Sequence, residues 1–497
     1  MMKRSISMLL LIAMLAGMTA CGESGGSEVT DTTAGDTTTA EPVETGIPEP
    51  ELPVKDYGGA MFTFLIRGRT APAYSQKYIF AEEMNGEVVN DAVFDRNRAV
   101  EEKFNIKIEI VENNNQGEIN DARTYILAGD PGVDVISAQR NGLGTLAAEG
   151  YLVDFNEIPH IDMTAPYWDQ NAAEQLSVAN RLYLMSNDIT VNNLAGARNI
   201  FYNKRLVEEY KLTNPYEAVQ NNTWTLDTFF NMISAVSSDL NGDAAFDHND
   251  LYGMLTEDGA ANGTVVHLLA GSGVRFTTNN KDGVPELSIN NEKTQDIISR
   301  VFSAIQENDN AISYVELKQT ADTSAFANEY NYGRSLFANG QFLFVQNGVN
   351  VVTAFVDMED DYGIAPNPKY DSAQENYHHK VDKFALIFGV PVSMGDIDRV
   401  GAVMEYMAWL SNKTVVPAYF DVTLQAKRLR DATDYEMLEL VKASTYYELA
   451  DTFNLGVDSI VWSAYEGGGS LASAYAASSA SVEAKLADLI ETFSSLE

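Results

Sequence analysis

Short apolar runs alternate with amphipathic segments along the chain after Tyr57. The apolar runs are rich in β-branched and aromatic residues or alternate apolar with polar residues, and both patterns predict strands. The amphipathic segments place apolar residues such as Val93, Val100 and Phe104 at helical spacing among charged ones. Strands are predicted at 61–66, 106–111 and 133–137, and helices at 90–105, 121–128 and 145–150. This alternation favours an α/β fold with a largely parallel sheet.

The amino terminus has a different pattern. Lys3 and Arg4 precede an apolar stretch of twelve residues at 6–17, which is too short for an ordinary membrane span. Small residues and Cys21 follow, so residues 1–20 have the layout of a secretory signal peptide. The ending Met-Thr-Ala-Cys is similar to a bacterial lipobox, which implies that Cys21 is lipidated, with palmitate as one acyl chain. The alternative is a plain secretory signal whose cleavage site happens to precede a cysteine.

Residues 21–56 are predicted to form a disordered tether that starts at the lipidated Cys21. The stretch 22–54 is rich in Gly, Ser, Thr, Pro, Asp and Glu and contains no Lys, Arg or aromatic residue. Such a composition buries too little apolar surface to offset its ordering entropy. As a flexible coil it would span about 30 Å.

Composition and charge narrow the function classes. The chain has 497 residues, so more than one lobe or domain is expected. It carries 71 acidic against 33 basic residues, a formal net charge of −38, and a field of that sign repels nucleic-acid phosphates. Cys21 is the only cysteine, which excludes an intramolecular disulfide.

Six stretches in a fixed order resemble the extracellular solute-binding proteins of ABC importers, specifically the large sugar-binding family 1. Among them, FYNKRLVEEYKLTNP resembles the family's "lYYNKdlfek.Gl..P", and DYGIAPNPKY resembles "dyGv.plPk". The six stretches lie at 126–155, 201–215, 222–237, 337–348, 361–370 and 417–441.

This resemblance implies an α/β fold of the two-lobed periplasmic-binding-protein type (type II), with mostly parallel sheets, crossing hinge strands and a ligand in the interlobe cleft. By the family pattern, lobe 1 takes residues 57–195 and 390–430, and lobe 2 takes 196–389 and 431–497. The implied function is capture of a carbohydrate, expected to be an oligosaccharide, for delivery to an ABC permease. The implied location is the extracellular face of the bacterial cell membrane, and the protein is expected not to be an enzyme.

Sugar ligands need aromatic platforms and fork-shaped polar partners, which narrows the candidates. Family loops that face the cleft suggest residues after two predicted strands, and the family's C-terminal Trp suggests Trp462, with Tyr465 on the same helical face. The alternatives are surface polar residues and interlobe packing, and Trp224 and Trp409 are expected to be core. The candidate ligand-binding residues are Arg69, Gln139, Arg140, Trp168, Asp188, Arg198, Trp462 and Tyr465.

One acidic stretch suggests a structural calcium ion, although no cofactor is required. Oxygen-bearing residues at positions 1, 3, 5, 9 and 12 resemble the loop of EF-hands and dockerins. Position 6 carries Ala244 where a glycine is usual. The predicted ligands are Asp239, Asn241, Asp243, the carbonyl of Ala245, Asp247 and Asp250. The alternative is an acidic surface loop.

Two other functions remain open from sequence. A surface glycan-active enzyme could use one of the many carboxylate pairs, although no motif points to one. An adhesion or sensory lipoprotein could use the same fold without a permease.

Overall fold

The computed structural model describes residues 46–71, 74–281, 283–425 and 432–496. The predicted signal peptide, Cys21 and most of the predicted tether lie outside the described residues. The strands are β1 Ala60–Arg67, β2 Ile106–Asn113, β3 Val135–Gln139, β4 Arg198–Asn203, β5 Tyr252–Thr256, β6 Thr277–Asn279, β7 Pro285–Leu287, β8 Ala311–Ser313, β9 Phe342–Gly348, β10 Tyr362–Ala365, β11 His379–Lys380, β12 Leu386–Gly389 and β13 Thr445–Tyr446.

The α-helices begin with α1 after the first strand. They are α1 Val88–Phe104, α2 Glu118–Ala128, α3 Arg140–Ala148, α4 Gln170–Gln175, α5 Asn192–Ala195, α6 Lys204–Glu209, α7 Pro215–Gln220, α8 Leu226–Val236, α9 Thr264–Gly271, α10 Glu292–Val301, α11 Tyr314–Thr320, α12 Glu329–Ala338, α13 Ile397–Lys413, α14 Val415–Gln425, α15 Ala432–Ala443, α16 Leu449–Thr452, α17 Val457–Glu466 and α18 Leu471–Ser495. Shorter helical turns lie at Phe155–Glu157, Phe302–Gln306 and Val349–Phe355. The three predicted strands and three predicted helices of the first 150 residues are confirmed, with bounds shifted by a few residues.

The first large sheet has the strand order β12-β3-β1-β2. The central strand β1 is parallel to both β2 and β3, with Phe64 opposite Ile110 and Val135. Its last six residues are buried, whereas the edge strand β2 alternates buried and exposed residues at its start. The continuous apolar run of β1 and the alternation of β2 therefore follow from their central and edge positions.

The second large sheet has the order β10-β4-β9-β5-β8. Strand β5 is parallel to β8 and β9, whereas β4 is antiparallel to β9 and β10. Every residue of β4, β5 and β9 is buried. Both large sheets are thus mixed, because β12 pairs antiparallel with β3 in the first sheet as well. The expected α/β fold is confirmed, and four of the seven strand pairings in the two large sheets are parallel.

The antiparallel strands enter where the chain crosses between the sheets. The chain leaves the first sheet after β3 and reaches the second at β4, then returns from β10 to β12. These two crossings run antiparallel, bridged between Met185 and Phe388 and between Ala197 and Val381. Strand β12 belongs to the first sheet, although 386–389 lies inside the range expected for lobe 2. The predicted lobe ranges stay a prediction.

A buried arginine holds the loop that follows β1. The guanidinium of Arg96, on α1, is 0% exposed and donates to the carbonyls of Tyr78, Ile79 and Ile189 at 2.9–3.0 Å. It also donates to the hydroxyl of Ser411 on α13 at 3.1 Å. Burial lowers the pKa of Arg96 to about 9, which still leaves it charged near neutral pH. Arg96 therefore ties α1, α13 and the 78–79 loop to one crossing segment.

Among the described residues, no helix combines the length and the apolar character needed to cross a membrane.

Candidate functional site

The carboxyl ends of the parallel strands define one edge of each sheet. In the first sheet, β1 and β3 end at this edge and β12 begins there, with Leu386 opposite Gln139. In the second sheet, β5, β8 and β9 end at one edge and β4 begins there, with Arg198 opposite Gly348. Ligands in α/β proteins bind beyond such edges, so a ligand site is expected at one or both of these edges.

A network of four side chains, of which Arg198, Glu257 and Asp382 are buried and Tyr74 is partly exposed, joins the two edges. Asp382 lies just before β12, and Nη2 of Arg198 is 3.4 Å from its Oδ2. The other side of the Arg198 guanidinium forms an ion pair with Glu257, the residue that follows β5. The hydroxyl of Tyr74, in the loop after β1, donates to Asp382. The carboxyl edges of the two sheets therefore meet at this network.

The charges of the network are fixed by their neighbours. Burial alone would lower the pKa of Arg198, but Glu257, Tyr74 and Asp382 outweigh it and raise that pKa well above its ordinary value. Burial and the nearby Asp382 raise the pKa of Tyr74 well above its usual range, so its hydroxyl stays a donor. One cation thus lies between two acidic side chains at the meeting of the edges.

A cavity of about 430 Å³ opens at the carboxyl ends of β5 and β8. Trp462 and Tyr465, one turn apart on α17, form its aromatic wall, with ring centroids 5.5 Å apart and planes at 36°. A Cβ added at Gly263 would lie 3.2 Å from the Trp462 indole, so this glycine lets the ring approach the backbone. We call this cavity the α17 pocket. Its lining comprises Thr256, Asp258, Ile305, Gln306, Glu307, Asn308, Asp309, Ala311, Ser313, Val315, Glu316, Trp462, Tyr465 and Glu466.

Acidic side chains form part of the lining of the α17 pocket. Burial raises the pKa of Asp258, and hydrogen bonding from the Ser313 side chain opposes that change. The nearby carboxylates of Glu316 and Glu466 raise the pKa of Asp258 further. Glu316 also accepts from the backbone N–H of Ser313 at 2.9 Å, which closes a capping box at the start of α11. The pocket thus combines aromatic faces with hydrogen-bond acceptors.

Residues 97–424 match the family model described as bacterial extracellular solute-binding protein. The match covers more than half of the chain. The chain belongs to this family. A search of curated protein sequences found no match to this solute-binding protein.

Solved structures with the same fold include sugar-binding proteins of ABC transporters. One is an ABC substrate-binding protein from Listeria monocytogenes in complex with cycloalternan, which is 14% identical in sequence with a TM-score of 0.53. The alignment covers 88% of this chain and 99% of the Listeria chain. A sugar transporter from Rhizobium etli, in an open conformation, is 16% identical with a TM-score of 0.55, covering 88% and 100%.

A third similar structure is the galacto-N-biose/lacto-N-biose I-binding protein from Bifidobacterium longum, in complex with lacto-N-biose. It is 14% identical with a TM-score of 0.54, and the alignment covers 88% of this chain and 98% of that one. At such identities the similarity establishes the fold of this solute-binding protein.

The structure distributes the candidate ligand-binding residues over several places. Trp462 and Tyr465 lie together in the α17 pocket, and Arg198 lies in the buried network at the adjoining edge. Trp168 and Asp188 line a different cavity, of about 290 Å³, with residues of α15 such as Lys442. The candidate residues chosen from the sequence therefore do not all belong to one site.

Trp168 is used for packing in this structure. It is 1% exposed, and its indole Nε1 donates to Oε2 of Glu405 at 2.7 Å. Its ring also meets that of Phe155 edge-on at 6.3 Å. In this conformation the ring is almost fully enclosed, although Trp168 contributes to the lining of the 290 Å³ cavity.

Asp188 is a buried acid held by an amide. It is 8% exposed, and its Oδ2 accepts from Nδ2 of Asn412 at 2.7 Å. Burial raises the pKa of Asp188 to about 6, against the opposing effect of the nearby Lys442 charge. This carboxyl group therefore titrates close to neutral pH.

Arg140 is also a structural group here. It is fully buried, and its guanidinium donates to the carbonyls of Glu448 and Val381 at 2.8 and 3.0 Å and to the hydroxyl of Thr452. These contacts join the start of α3 to the second crossing and to α16. The preceding residue, Gln139, ends β3 and is partly exposed.

Arg69 lies away from the network. Its guanidinium forms ion pairs with Glu112 at 3.2 Å and with Glu82 at 3.1 Å. Glu112 belongs to the edge strand β2, so Arg69 joins the loop after β1 to the outer edge of the first sheet. The structure favours the alternative of a surface polar residue.

The predicted calcium loop is closed by its own backbone. Asp239 accepts from the N–H groups of Gly242 and Ala244 at 2.7 and 2.9 Å, and Asp250 accepts from those of Leu240 and Asp247 at 2.9 Å. Asn241 and Asp243 likewise accept from backbone N–H groups two residues onward, and so does Asp247.

In this structure the side-chain oxygen atoms of the predicted loop accept from backbone N–H groups. Within the described ranges, no group of three or more His, Cys, Asp or Glu side chains is arranged to hold a metal ion. Calcium binding by Asp239, Asn241, Asp243, Ala245, Asp247 and Asp250 stays a prediction of the sequence pattern.

Several residues of the site were not singled out from sequence. Glu257 and Asp258 follow the buried run of β5, and a strand followed by adjacent acids would have been a usable signal. Asp382 had no such local signal, because its role depends on two distant segments meeting.

Proposed function

We propose that this protein captures a carbohydrate at the α17 pocket and delivers it to an ABC permease. In this proposal the lipid on Cys21 holds the protein at the extracellular face of the bacterial membrane. The observation that carries the proposal is the pair of aromatic rings, Trp462 and Tyr465, set beside carboxylate acceptors at the carboxyl edge of the second sheet.

The chemistry of the pocket suits a sugar. A sugar ring has a weakly apolar face that stacks on aromatic rings, and its hydroxyl groups donate to carboxylates. Asp258 and Glu316 supply such acceptors in the same cavity lining as the aromatic rings. Two of the similar structures are complexes with sugars, cycloalternan in one protein and lacto-N-biose in the other, which supports the same ligand class here.

The buried network supports a capture mechanism by closure. Arg198 and Glu257 belong to the edge of the second sheet, whereas Tyr74 belongs to a loop of the first. The lining of the α17 pocket comes from residues 256–316 and 462–466, so a ligand must extend beyond the pocket to reach the edge of the first sheet. Such a ligand would favour the conformation in which the two edges meet, and this is a ligand-driven population shift. Oligosaccharides suit such a site because they can reach both edges.

The direct test is calorimetry and thermal shift on the purified protein with neutral mono- and oligosaccharides, and with peptides and polyols as controls. A ligand at 100 times its dissociation constant stabilises the folded state by about 2.7 kcal/mol, which gives a shift of several degrees. Binding by one sugar class supports the proposal. A folded protein that binds only peptides, or no solute, contradicts it.

The same samples separate binding from catalysis. The matched family is one of binding proteins, which supports a protein that releases its sugar unchanged. Chromatography after long incubation should recover the bound glycan intact. Cleavage products would instead support the glycan-active enzyme considered from sequence.

Anchoring and delivery need cellular tests. Metabolic labelling with a palmitate analogue in a bacterial host should mark the native chain and not the Cys21→Ser variant. Two permease genes beside the coding gene, together with loss of sugar uptake on their deletion, would support delivery. A labelled Cys21→Ser variant, or unchanged uptake without the permease, would contradict these parts of the proposal, and the second result would favour an adhesion or sensory role.

A further inference from the structure

The charge of the α17 pocket is strongly one-sided. Its lining contains five acidic residues and, among the described residues that line it, no Lys, Arg or His. The five acidic residues are Asp258, Glu307, Asp309, Glu316 and Glu466. A ligand in the cavity would therefore meet acidic groups without a basic neighbour in the lining.

The cation of the buried network does not offset the negative charge of the α17 pocket. Arg198 forms ion pairs with both Glu257 and Asp382 and is itself buried. Two positions beyond β5, Asp258 lies outside those pairs, and the charges of Glu316 and Glu466 act on it. The carboxylates of the pocket are thus close enough to influence one another and any group placed between them.

The aromatic wall acts in the same direction as the carboxylates. Trp462 is partly exposed and lines the cavity. The face of an indole ring attracts cations, and this attraction strengthens as the site is desolvated. Two independent features, the acidic lining and the partly exposed tryptophan, therefore favour a positively charged group on the ligand.

We propose that the α17 pocket selects its sugar by charge. It prefers a glycan bearing a protonated amine over the matched neutral glycan, and it rejects glycans bearing a carboxylate, sulfate or phosphate. This inference rests on the proposed capture of a carbohydrate and adds the class of carbohydrate. A ligand carboxylate about 5 Å from Glu316 or Asp258 would be repelled, which corresponds to about tenfold weaker binding at a partly solvated site.

The test uses sugars that differ at one carbon only. The probes are glucose, galactose and mannose, each compared with its 6-amino-6-deoxy derivative and its uronic acid at about pH 7, where the amine and the carboxylate are both charged. Calorimetry with the full chain should show that the amine binds more tightly than the neutral sugar. The uronic acid should bind at least tenfold more weakly than the neutral sugar. Added salt should narrow these differences, because it screens exposed charges.

The variant Glu316→Gln/Glu466→Gln tests the residues themselves. Glutamine at 316 can still close the capping box, so the start of α11 is retained. In this variant the dissociation constant of the uronic acid, divided by that of the neutral sugar, should fall several-fold towards one. The matched control is Glu102→Gln, an exposed carboxylate on α1 outside the pocket lining, which should leave the ratio unchanged.

The outcomes separate the two proposals. Uronic acids that bind as tightly as the neutral sugars, or a ratio unchanged in Glu316→Gln/Glu466→Gln, would overturn the charge selection and leave sugar capture standing. No binding by any sugar of this set or of the neutral oligosaccharide panel would overturn sugar capture, and the charge selection with it.

Discussion

Arg198 and Asp382 form a buried ion pair in which Nη2 lies 3.4 Å from Oδ2. Arg198 begins β4 of the second sheet, and Asp382 lies four positions before Leu386, the first residue of β12 in the first sheet. The two residues are 184 positions apart along the chain. Arg198 also pairs with Glu257, and Asp382 also accepts from the Tyr74 hydroxyl. The ion pair therefore connects the candidate site to the edges of both sheets.

Removing the Tyr74 hydroxyl should weaken this connection. In Tyr74→Phe the carboxylate of Asp382 loses a donor while the ring is kept. Hydrogen bonds to charged groups contribute about 1.5–3 kcal/mol, so we expect the free energy of unfolding to fall by that order. Urea unfolding measures the change.

The matched control is Tyr475→Phe, whose hydroxyl contacts Glu483 at 3.4 Å near the surface of α18. It should cost well under 1 kcal/mol. Equal effects of the two substitutions would show that the Tyr74–Asp382 contact contributes little.

Trp462→Ala should weaken sugar binding by about tenfold, because an aromatic contact of this kind contributes on the order of 1 kcal/mol or more. Calorimetry with the best sugar of the screen measures the loss. Trp168→Phe is the comparison, since it removes the indole donor to Glu405 outside the α17 pocket. It should lower the free energy of unfolding by about 1–3 kcal/mol and leave affinity unchanged. The opposite result would place the sugar at the second cavity.

Asp188 predicts a specific dependence of stability on pH. Burial raises its pKa from 3.8 to about 6, so the folded state favours the protonated form. Its stabilising contribution is therefore fully present below about pH 3.8 and is lost as the pH rises through about 6. A shift of this size corresponds to at most about 3 kcal/mol.

Asp188→Asn keeps an oxygen that can accept from Asn412 and cannot ionise. We expect it to raise the free energy of unfolding at about pH 7.5 and to have little effect at about pH 4. The control Asp488→Asn changes an exposed residue of α18 and should show no such difference. A destabilised Asp188→Asn at the higher pH would mean that the Lys442 charge outweighs burial.

Arg96→Met should be among the most destabilising single changes. It fills a similar volume but leaves the carbonyls of Tyr78, Ile79 and Ile189 without their donor. Breaking such a buried group costs about 3–5 kcal/mol. Denaturant unfolding gives the value, and Arg123→Met, whose arginine pairs with Glu149 at the surface, should cost under 1 kcal/mol. A small effect at both positions would show that water can replace the buried guanidinium.

The calcium pattern makes its own prediction. Binding would require Asp239 and Asp250 to exchange their backbone N–H partners for the ion. If the pattern is functional, calcium raises the melting temperature and Asp239→Ala abolishes the rise. No heat of binding, and a melting temperature unaffected by chelator, would show that 239–250 is an acidic surface loop.

The order of the first elements could be predicted because it depends on local patterns. The apolar run of β1 and the helical spacing of Val93, Val100 and Phe104 in α1 each match the burial that the structure gives them. The pair Trp462 and Tyr465 could also be placed on one face, because residues three apart on a helix are neighbours.

The residues that sequence alone could not sort are those whose role depends on distant partners. Arg140 and Arg198 carry the same side chain, yet one donates to backbone carbonyls and the other bridges two carboxylates. Trp168 is enclosed because Glu405, more than two hundred residues away, meets its indole.

The sequence by itself thus determined the helices and strands of the first 150 residues, the acidic character of the chain and the aromatic pair of α17. Only the tertiary structure decided which polar side chains are buried braces and which line a cavity. The physical reason is that hydrophobic periodicity is a property of neighbouring residues, whereas desolvation and pairing of a charge depend on what the whole fold brings next to it.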